Sequence, residues 1–225
     1  TLGLAAARGI MKACAGASVR VIPVADGGEG TSAVLRKLLR ADAVSAKVRD
    51  PEGKTIEAEF GLSGKSAVLE MASASGLTLV PRENRNPWKL STEGTGDLCL
   101  AAAAAGADRI TIGIGGSATS DAGSGFLHSL GGRFYDMNGN ETVPVPENFM
   151  SIVKADLSEP LRFAEKVSIT AASDVMNPLL GENGAAMVFA GQKGAKEEDL
   201  AKLDVASGHI ADVISEAAGN DMRES

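Results

Sequence analysis

Aromatic residues are scarce in this chain: 4% of 225 positions, with one Trp and one Tyr. Single-stranded nucleic acid is gripped on stacked aromatic rings, and so few of them leave no such platform. Positive charge is also in deficit. Lys and Arg number 22 against 29 Asp and Glu, and the net charge of −7 opposes binding to a polyanionic backbone. Two cysteines, Cys14 and Cys99, form neither a C-x-x-C pair nor a disulfide framework, and read as buried structural thiols in a reducing compartment. The most apolar run, residues 98–107, is too short to span a bilayer, and no signal peptide is visible. The expectation is a cytoplasmic α/β protein whose core relies on Ala, Val, Leu and Ile. Neither a nucleic-acid nor a membrane partner is expected.

Glycine, by contrast, is plentiful, with 27 residues. The most informative stretch is 110–125, where Ile110, Ile112 and Ile114 alternate as in a buried strand. That strand empties into Gly113, Gly115 and Gly116, then a Ser/Thr/Asp cluster, then a helix expected from about residue 122. A strand, a glycine turn and a helix start bring bare amides to one point, which suits an anionic ligand. Asp121 is itself an anion in that place, so it points to a metal or a proton rather than to a phosphate. Two common nucleotide loops are poor matches. The dinucleotide fingerprint is met only formally, by Gly113, Gly115 and Ala118 with Asp136 further on, and the hydroxyls of Ser117 and Thr119 crowd its turn. The phosphate loop ending at Gly64-Lys65-Ser66 has Glu59 where its first glycine belongs.

The same strand–turn–helix grammar recurs along the chain. A helix over 2–15 leads to a strand over 19–24, then Asp26-Gly27-Gly28-Glu29-Gly30 and a helix over 31–39. Residues 44–60 alternate around Asp50-Pro51-Glu52-Gly53, the chemistry of a hairpin turn. A strand over 67–71 follows, then an alanine-rich helix ending near 105 and capped by Thr95 or Asp97. A hairpin around Asn138-Gly139, strands over 167–172 and 185–189, and an amphipathic helix over 196–218 complete the pass. Carboxylates recur on loops after apolar strands: Asp26 with Glu29, Asp121, and Asp174 with Asn177 beyond it. In open α/β sheets ligands collect at the carboxyl ends of strands, where such groups can hold Mg²⁺ or take a hydroxyl proton.

These residues also carry a resemblance. Val24-Ala25-Asp26-Gly27-Gly28-Glu29-Gly30-Thr31, Ile112-Gly113-Ile114-Gly115-Gly116-Ser117-Ala118-Thr119 and Asp174-Val175-Met176-Asn177-Pro178-Leu179 resemble the signature stretches of bacterial glycerate kinases. Glu70-Met71-Ala72, Asn84-Arg85-Asn86-Pro87, Gly94-Thr95-Gly96 and Gln192-Lys193-Gly194-Ala195 match in order and spacing, so the resemblance covers essentially the whole chain. It departs at Thr119-Ser120-Asp121-Ala122-Gly123, where the family commonly has Thr-Asn-Asp-Gly-Gly. It departs again at Phe189-Ala190-Gly191, where the family has Phe-Gly-Pro, and at Glu93, where it often has tryptophan. The resemblance implies a kinase that uses ATP and Mg²⁺ to phosphorylate D-glycerate, usually at the 2-hydroxyl. Glycerate and ATP would be its small-molecule partners, and self-association is left open.

The resemblance also implies two α/β domains, one flavodoxin-like and doubly wound, the other inserted and similar to restriction endonucleases. Residues 1–43 would belong to the first and 44–225 mostly to the second, with the texture change near 44 marking the insertion. Family members open with a further strand and continue beyond the position of Ser225, so the chain is expected to be a piece of a longer protein. In site terms, Asp174 and Asp121 are the candidates for general base and Mg²⁺ ligand, in either order. Gly115, Gly116, Ser117 and Thr119 would contact an anion, Lys193 a phosphate, and Arg85 a carboxylate. Asp26, Gly27, Gly28, Glu29 and Asn177 would complete substrate binding. His128 and His209 are read as helix residues that pack or face water, and Trp88 as a packing anchor. A nicotinamide-dependent oxidoreductase, resting on the formal fingerprint, and an inactive binding remnant are the rival readings.

Overall fold

Alternating apolar residues along 42–70 build one half of a five-stranded sheet in the computed structural model, which describes residues 2–24, 27–28 and 30–221. Strands β1 (Asp42–Arg49) and β2 (Thr55–Ser63) form an antiparallel hairpin, and β3 (Ser66–Glu70) pairs antiparallel with β2. The first turn closes because the Asp50 carboxylate accepts the amides of Glu52 and Lys54 at 2.9 and 2.8 Å, while Gly53 takes φ 84°. Strands β4 (Arg109–Gly113) and β7 (Ser168–Ala172) extend the sheet in parallel, giving the order β1-β2-β3-β4-β7. The carboxyl ends of β3, β4 and β7 therefore lie side by side.

One face of the sheet presents Phe60, Leu69, Ile110 and Ile112 to a core shared with Leu98 and Cys99 of helix α4 (Glu93–Ala104). Burial pushes the Cys99 thiol up to about 12, which keeps it protonated and inert. Side chains alternate across a strand, so Gly61 and Val68 face the other side. There they meet Arg36 of helix α2 (Thr31–Leu39), whose guanidinium pairs with Glu59 at 3.1 Å. A second cluster packs the two-stranded sheet of β5 (Arg133–Asp136) and β6 (Ile152–Asp156) under helix α8 (Glu197–Ala218). Trp88 joins that cluster to the contact of α8 with helix α7 (Ala185–Phe189), a packing role as expected. Helices α1 (Leu2–Ala13), α3 (Ala72–Ser75), α5 (Ser124–Ser129) and α6 (Ser158–Ala164) complete the set used below.

The α/β class, the hairpin, β3, β4, β7, α2, α4 and α8 agree with expectation. Other details differ for physical reasons. Residues 19–24 form no strand: no neighbouring strand among the described residues offers them a ladder, and Ile22 and Val24 are exposed. Residues 185–189 form helix α7 rather than a strand, since five apolar residues carry no readable period. Ala186 and Ala190 then pack against Leu203 of α8. The hairpin around Asn138 shrinks to a single bridge between Tyr135 and Glu141, because β5 takes β6 as its partner. Thr92, not Thr95 or Asp97, occupies the cap position of α4. Cys14 is exposed rather than buried. No helix among the described residues is long and apolar enough to cross a membrane.

Candidate functional site

Three loops, two of them following β4 and β7, interlock through their backbones at the carboxyl edge of the sheet. The Gly115 amide donates to the Gly27 carbonyl at 2.9 Å, and the Ile114 amide donates to the Ala172 carbonyl at 3.1 Å. Gly27 sits at φ 93° with its amide held by the Thr31 hydroxyl at 3.0 Å. Contact is close enough to forbid side chains. A Cβ on Gly27 would lie 2.7 Å from the Ala172 carbonyl oxygen, and one on Gly115 would lie 2.7 Å from the Gly28 Cα. The glycines of distant segments are thus explained by mutual backbone approach.

This packing revises how the glycine loop can meet an anion. Its amides at Ile114 and Gly115 are engaged as above, and the Ala118 amide donates to the Ser75 carbonyl at 2.9 Å. Helix α5, which follows, has only six residues and starts at Ser124 after Gly123 at φ 74°. What the loop still offers includes the Ser117 hydroxyl and a lysine reaching across to it.

That lysine is Lys193. It follows α7 in the short 3₁₀ turn Gly191–Lys193, and its ammonium donates to the Ser117 hydroxyl at 2.9 Å and to the Thr119 carbonyl. Burial pulls its pKa down to about 8, against the opposing pull of the Asp121 carboxylate. A cleft of about 280 Å³ opens here, and its lining includes Gly28, Gly115, Gly116, Ser117, Asp174 and Lys193. Four of the stretches quoted above, those of Gly28, Gly115, Asp174 and Lys193, contribute to that lining although up to 165 positions separate them in sequence. Asp174 stands exposed at its lip just beyond β7.

Asp121 occupies a different environment. It is 1% exposed, and its Oδ2 accepts the Thr92 amide at 2.7 Å, the Thr92 hydroxyl at 2.7 Å and the Gly125 amide at 3.2 Å. Among the described residues, Oδ1 receives the Gly123 amide alone, at 3.4 Å. Desolvation raises the Asp121 pKa, while these donors favour the carboxylate and work against that rise. The group thus serves as a clamp between its own loop and the start of α4. Thr92, which the sequence reading missed, completes the clamp by accepting the Phe126 amide at 2.9 Å. Nothing in the sequence ties Thr92 to Asp121, since they lie 29 positions apart.

The remaining candidates divide. Arg85 lies outside the cleft, with its guanidinium on the carbonyls of Leu77 and Val80 at 3.2 and 3.3 Å. Gly194 presses on the same loop, where a Cβ would fall 2.3 Å from the Arg85 carbonyl oxygen. Asn177 is exposed and holds the loop after β7 by donating to the Asn183 carbonyl at 3.0 Å. Asp26 and Glu29 lie outside the described residues. Asp136 accepts the Asn138 and Asn140 amides, each at 2.8 Å, in a surface turn, so the nicotinamide reading loses its acidic partner. His128 joins Glu93, which also pairs with Arg49 at 2.9 Å, and His209 donates to the Ile152 carbonyl at 2.7 Å.

Among the described residues no three His, Cys, Asp or Glu side chains gather as a metal cage. Mg²⁺ does not require one, because it is usually held by one or two carboxylates together with substrate phosphates and water. An exposed Asp174 beside a lysine fits that mode; the enclosed Asp121 fits it poorly.

The family model described as the glycerate kinase family matches residues 2–225. The chain belongs to that family. Relatives include a glycerate kinase of Halalkalibacterium halodurans, 42% identical over 96% of this chain and 57% of its own length. A glycerate 2-kinase of Escherichia coli is 42% identical over 90% of this chain and 54% of its own. The chain spans about half the length of these curated relatives. A crystal structure from Salmonella typhimurium LT2, assigned to glycerate kinase 2, superposes with a TM-score of 0.86 at 38% identity, covering 98% of this chain and 60% of its own. Within this family fold, the cleft beside Lys193 and Asp174 gathers residues from four of the motif stretches.

Proposed function

We propose that the complete protein transfers the γ-phosphoryl group of ATP to the 2-hydroxyl of D-glycerate, in the cleft bounded by Asp174, Ser117 and Lys193. The observation that carries this reading is their convergence, with Gly28, Gly115 and Gly116, at the carboxyl ends of β4 and β7 in a chain of the glycerate kinase family. Phosphoryl transfer asks a protein mainly for positioning and charge neutralisation. Among the described residues that line this cleft, Asp174 is the carboxylate able to accept the hydroxyl proton. The freed oxygen bonds to the γ-phosphorus as the bond to the β-phosphate oxygen breaks, and the leaving pair departs on ADP. Lys193 lies where its charge can neutralise phosphate oxygens, with Ser117 and Gly116 alongside. Mg²⁺, when bound, would neutralise charge shared between nucleotide phosphates and Asp174.

Asp121 and Thr119 act one step back in this reading, by fixing the loop and the lysine. Gly27 braces the glycine loop by accepting the Gly115 amide, and Asp26 and Glu29, its near neighbours in sequence, are assigned to the substrate hydroxyl or to Mg²⁺. Arg85 and Asn177 brace the surrounding loops rather than touch glycerate. The division into a flavodoxin-like part and an inserted part near residue 44 remains part of the proposal. So does a cytoplasmic location. Phosphorus NMR of ATP, Mg²⁺ and D-glycerate with protein from the complete reading frame tests the reading. A 2-phosphoglycerate resonance is the expected result; no glycerate-dependent product from folded protein would reject the substrate.

A further inference from the structure

A second cavity, of about 440 Å³, lies against the first. It sits on the core face of the sheet, floored by Ile112 of β4 and by Ile169 and Ala171 of β7. Phe126 of α5 lines one side and Ala186 of α7 another. Most of its lining is apolar. Its polar lining includes Ser117, Thr119, Asp121 and Lys193 as well as Thr95 and Ser207. The two cavities share Ile114, Ser117 and Lys193.

We propose that this apolar cavity holds the adenosine of ATP, and that the triphosphate runs past Lys193 into the smaller cleft beside Asp174. The inference rests on the kinase reading above and names where its nucleotide lies. Size is consistent, since small-molecule pockets run from roughly 300 to 1,000 Å³. Chemistry chooses the occupant. Glycerate carries a carboxylate and two hydroxyls on three carbons, and gains little from walls of Ile, Ala and Phe. A flat heteroaromatic base gains from burying its faces on the same walls. Lys193 lies at the boundary, its ammonium on Ser117 and Thr119, where an anionic chain leaving one cavity must enter the other. The larger cavity is thus mostly apolar, the shared boundary cationic, and the smaller cleft carries Asp174. That order matches nucleoside, phosphates and transfer.

Two measurements on the complete protein test this. In the first, isoleucine δ1 methyls are labelled and adenosine alone is titrated in. Shifts at Ile112 and Ile169, with Ile56 and Ile210 unmoved, are expected; shifts that spare Ile112 and Ile169, or no saturable shift, would overturn the assignment. The second uses Ala171→Leu, at an exposed position of β7 that lines the cavity, so the added carbons enter the pocket. One methylene too many in an apolar pocket costs roughly 10–200-fold. The KM for ATP and the Kd for adenosine should rise by at least about tenfold. Binding of tripolyphosphate and the KM for glycerate should hold. A variant that raises the glycerate KM and spares ATP would refute the placement. If the wild type proves unable to phosphorylate glycerate yet adenosine shifts Ile112 and Ile169, the substrate reading fails and the nucleoside site stands.

Discussion

Replacing Lys193 by methionine separates what this residue does for stability from what it does for turnover. The fall of its pKa from the ordinary 10.5 to about 8 corresponds to about 3 kcal/mol of disfavoured charge at neutral pH. Methionine removes that cost and keeps the length of the side chain. It also leaves the Ser117 hydroxyl and the Thr119 carbonyl without their donor, a loss of about 1–3 kcal/mol. The terms oppose, so the midpoint of chemical denaturation should move by no more than about 2 kcal/mol in either direction. Turnover has no such compensation. Loss of one preorganised donor to developing charge costs about 10²–10³ in kcat, and the cation is lost as well. The pH dependence follows from the same shift. Between pH 8 and 10.5 the unfolded chain binds the proton that the folded chain has released, so wild-type stability rises with pH across that window. Lys193→Met should abolish that rise. The rate moves the opposite way, with kcat/KM falling above about pH 8 as the ammonium is lost. Urea denaturation and coupled kinase assays from pH 6 to 10 read all of this. Turnover within about tenfold of wild type, or an alkaline limb that survives the substitution, would refute the reasoning.

Asp174→Asn should lower kcat by about 10²–10⁴ without moving the melting temperature, because its exposed carboxylate is assigned to proton transfer and not to packing; an initial-rate assay beside a thermal melt checks both. Gly115→Ala places a methyl 2.7 Å from the Gly28 Cα and should destabilise by about 1–3 kcal/mol, whereas Gly191→Ala meets nothing within 4 Å and should be nearly neutral. Asp97→Asn tests the ion cluster at the start of α4. Its carboxylate binds the Arg49 guanidinium at 2.5 and 2.9 Å and accepts the Ser129 hydroxyl at 2.7 Å, and those contacts hold its pKa below the usual range. A lowered folded pKa contributes stability above the unfolded pKa that disappears as pH falls. The variant should therefore be less stable at pH 7 and lose less on acidification, as read by denaturation between pH 3 and 7.

Local pattern and local chemistry made much of this protein legible in advance. Alternation is read along the chain, so β1 to β4, β7 and the turn at Asp50 could be placed without a partner in view. The ordered motifs at Asp26, Gly115, Asp174 and Lys193 marked the family, because order and spacing survive in a linear string. The failures share one cause. Residues 185–189 are too few to show a period, and only the face of α8 makes them a helix. Residues 19–24 had the composition of a strand and lacked a described neighbour to pair with. Asp121 looked like Asp174 on paper, a carboxylate after an apolar strand. Tertiary structure separates them: Thr92, brought from 29 positions away, encloses one, while the other stands at the lip of a cleft. Arg85 was near the right motif and points to carbonyls instead. The sequence by itself determined which residue types reach the carboxyl edge of the sheet, since that depends on neighbours in the chain. Burial, hydrogen-bond partners and the shared boundary of two cavities depend on neighbours in space, and the tertiary structure alone decided those.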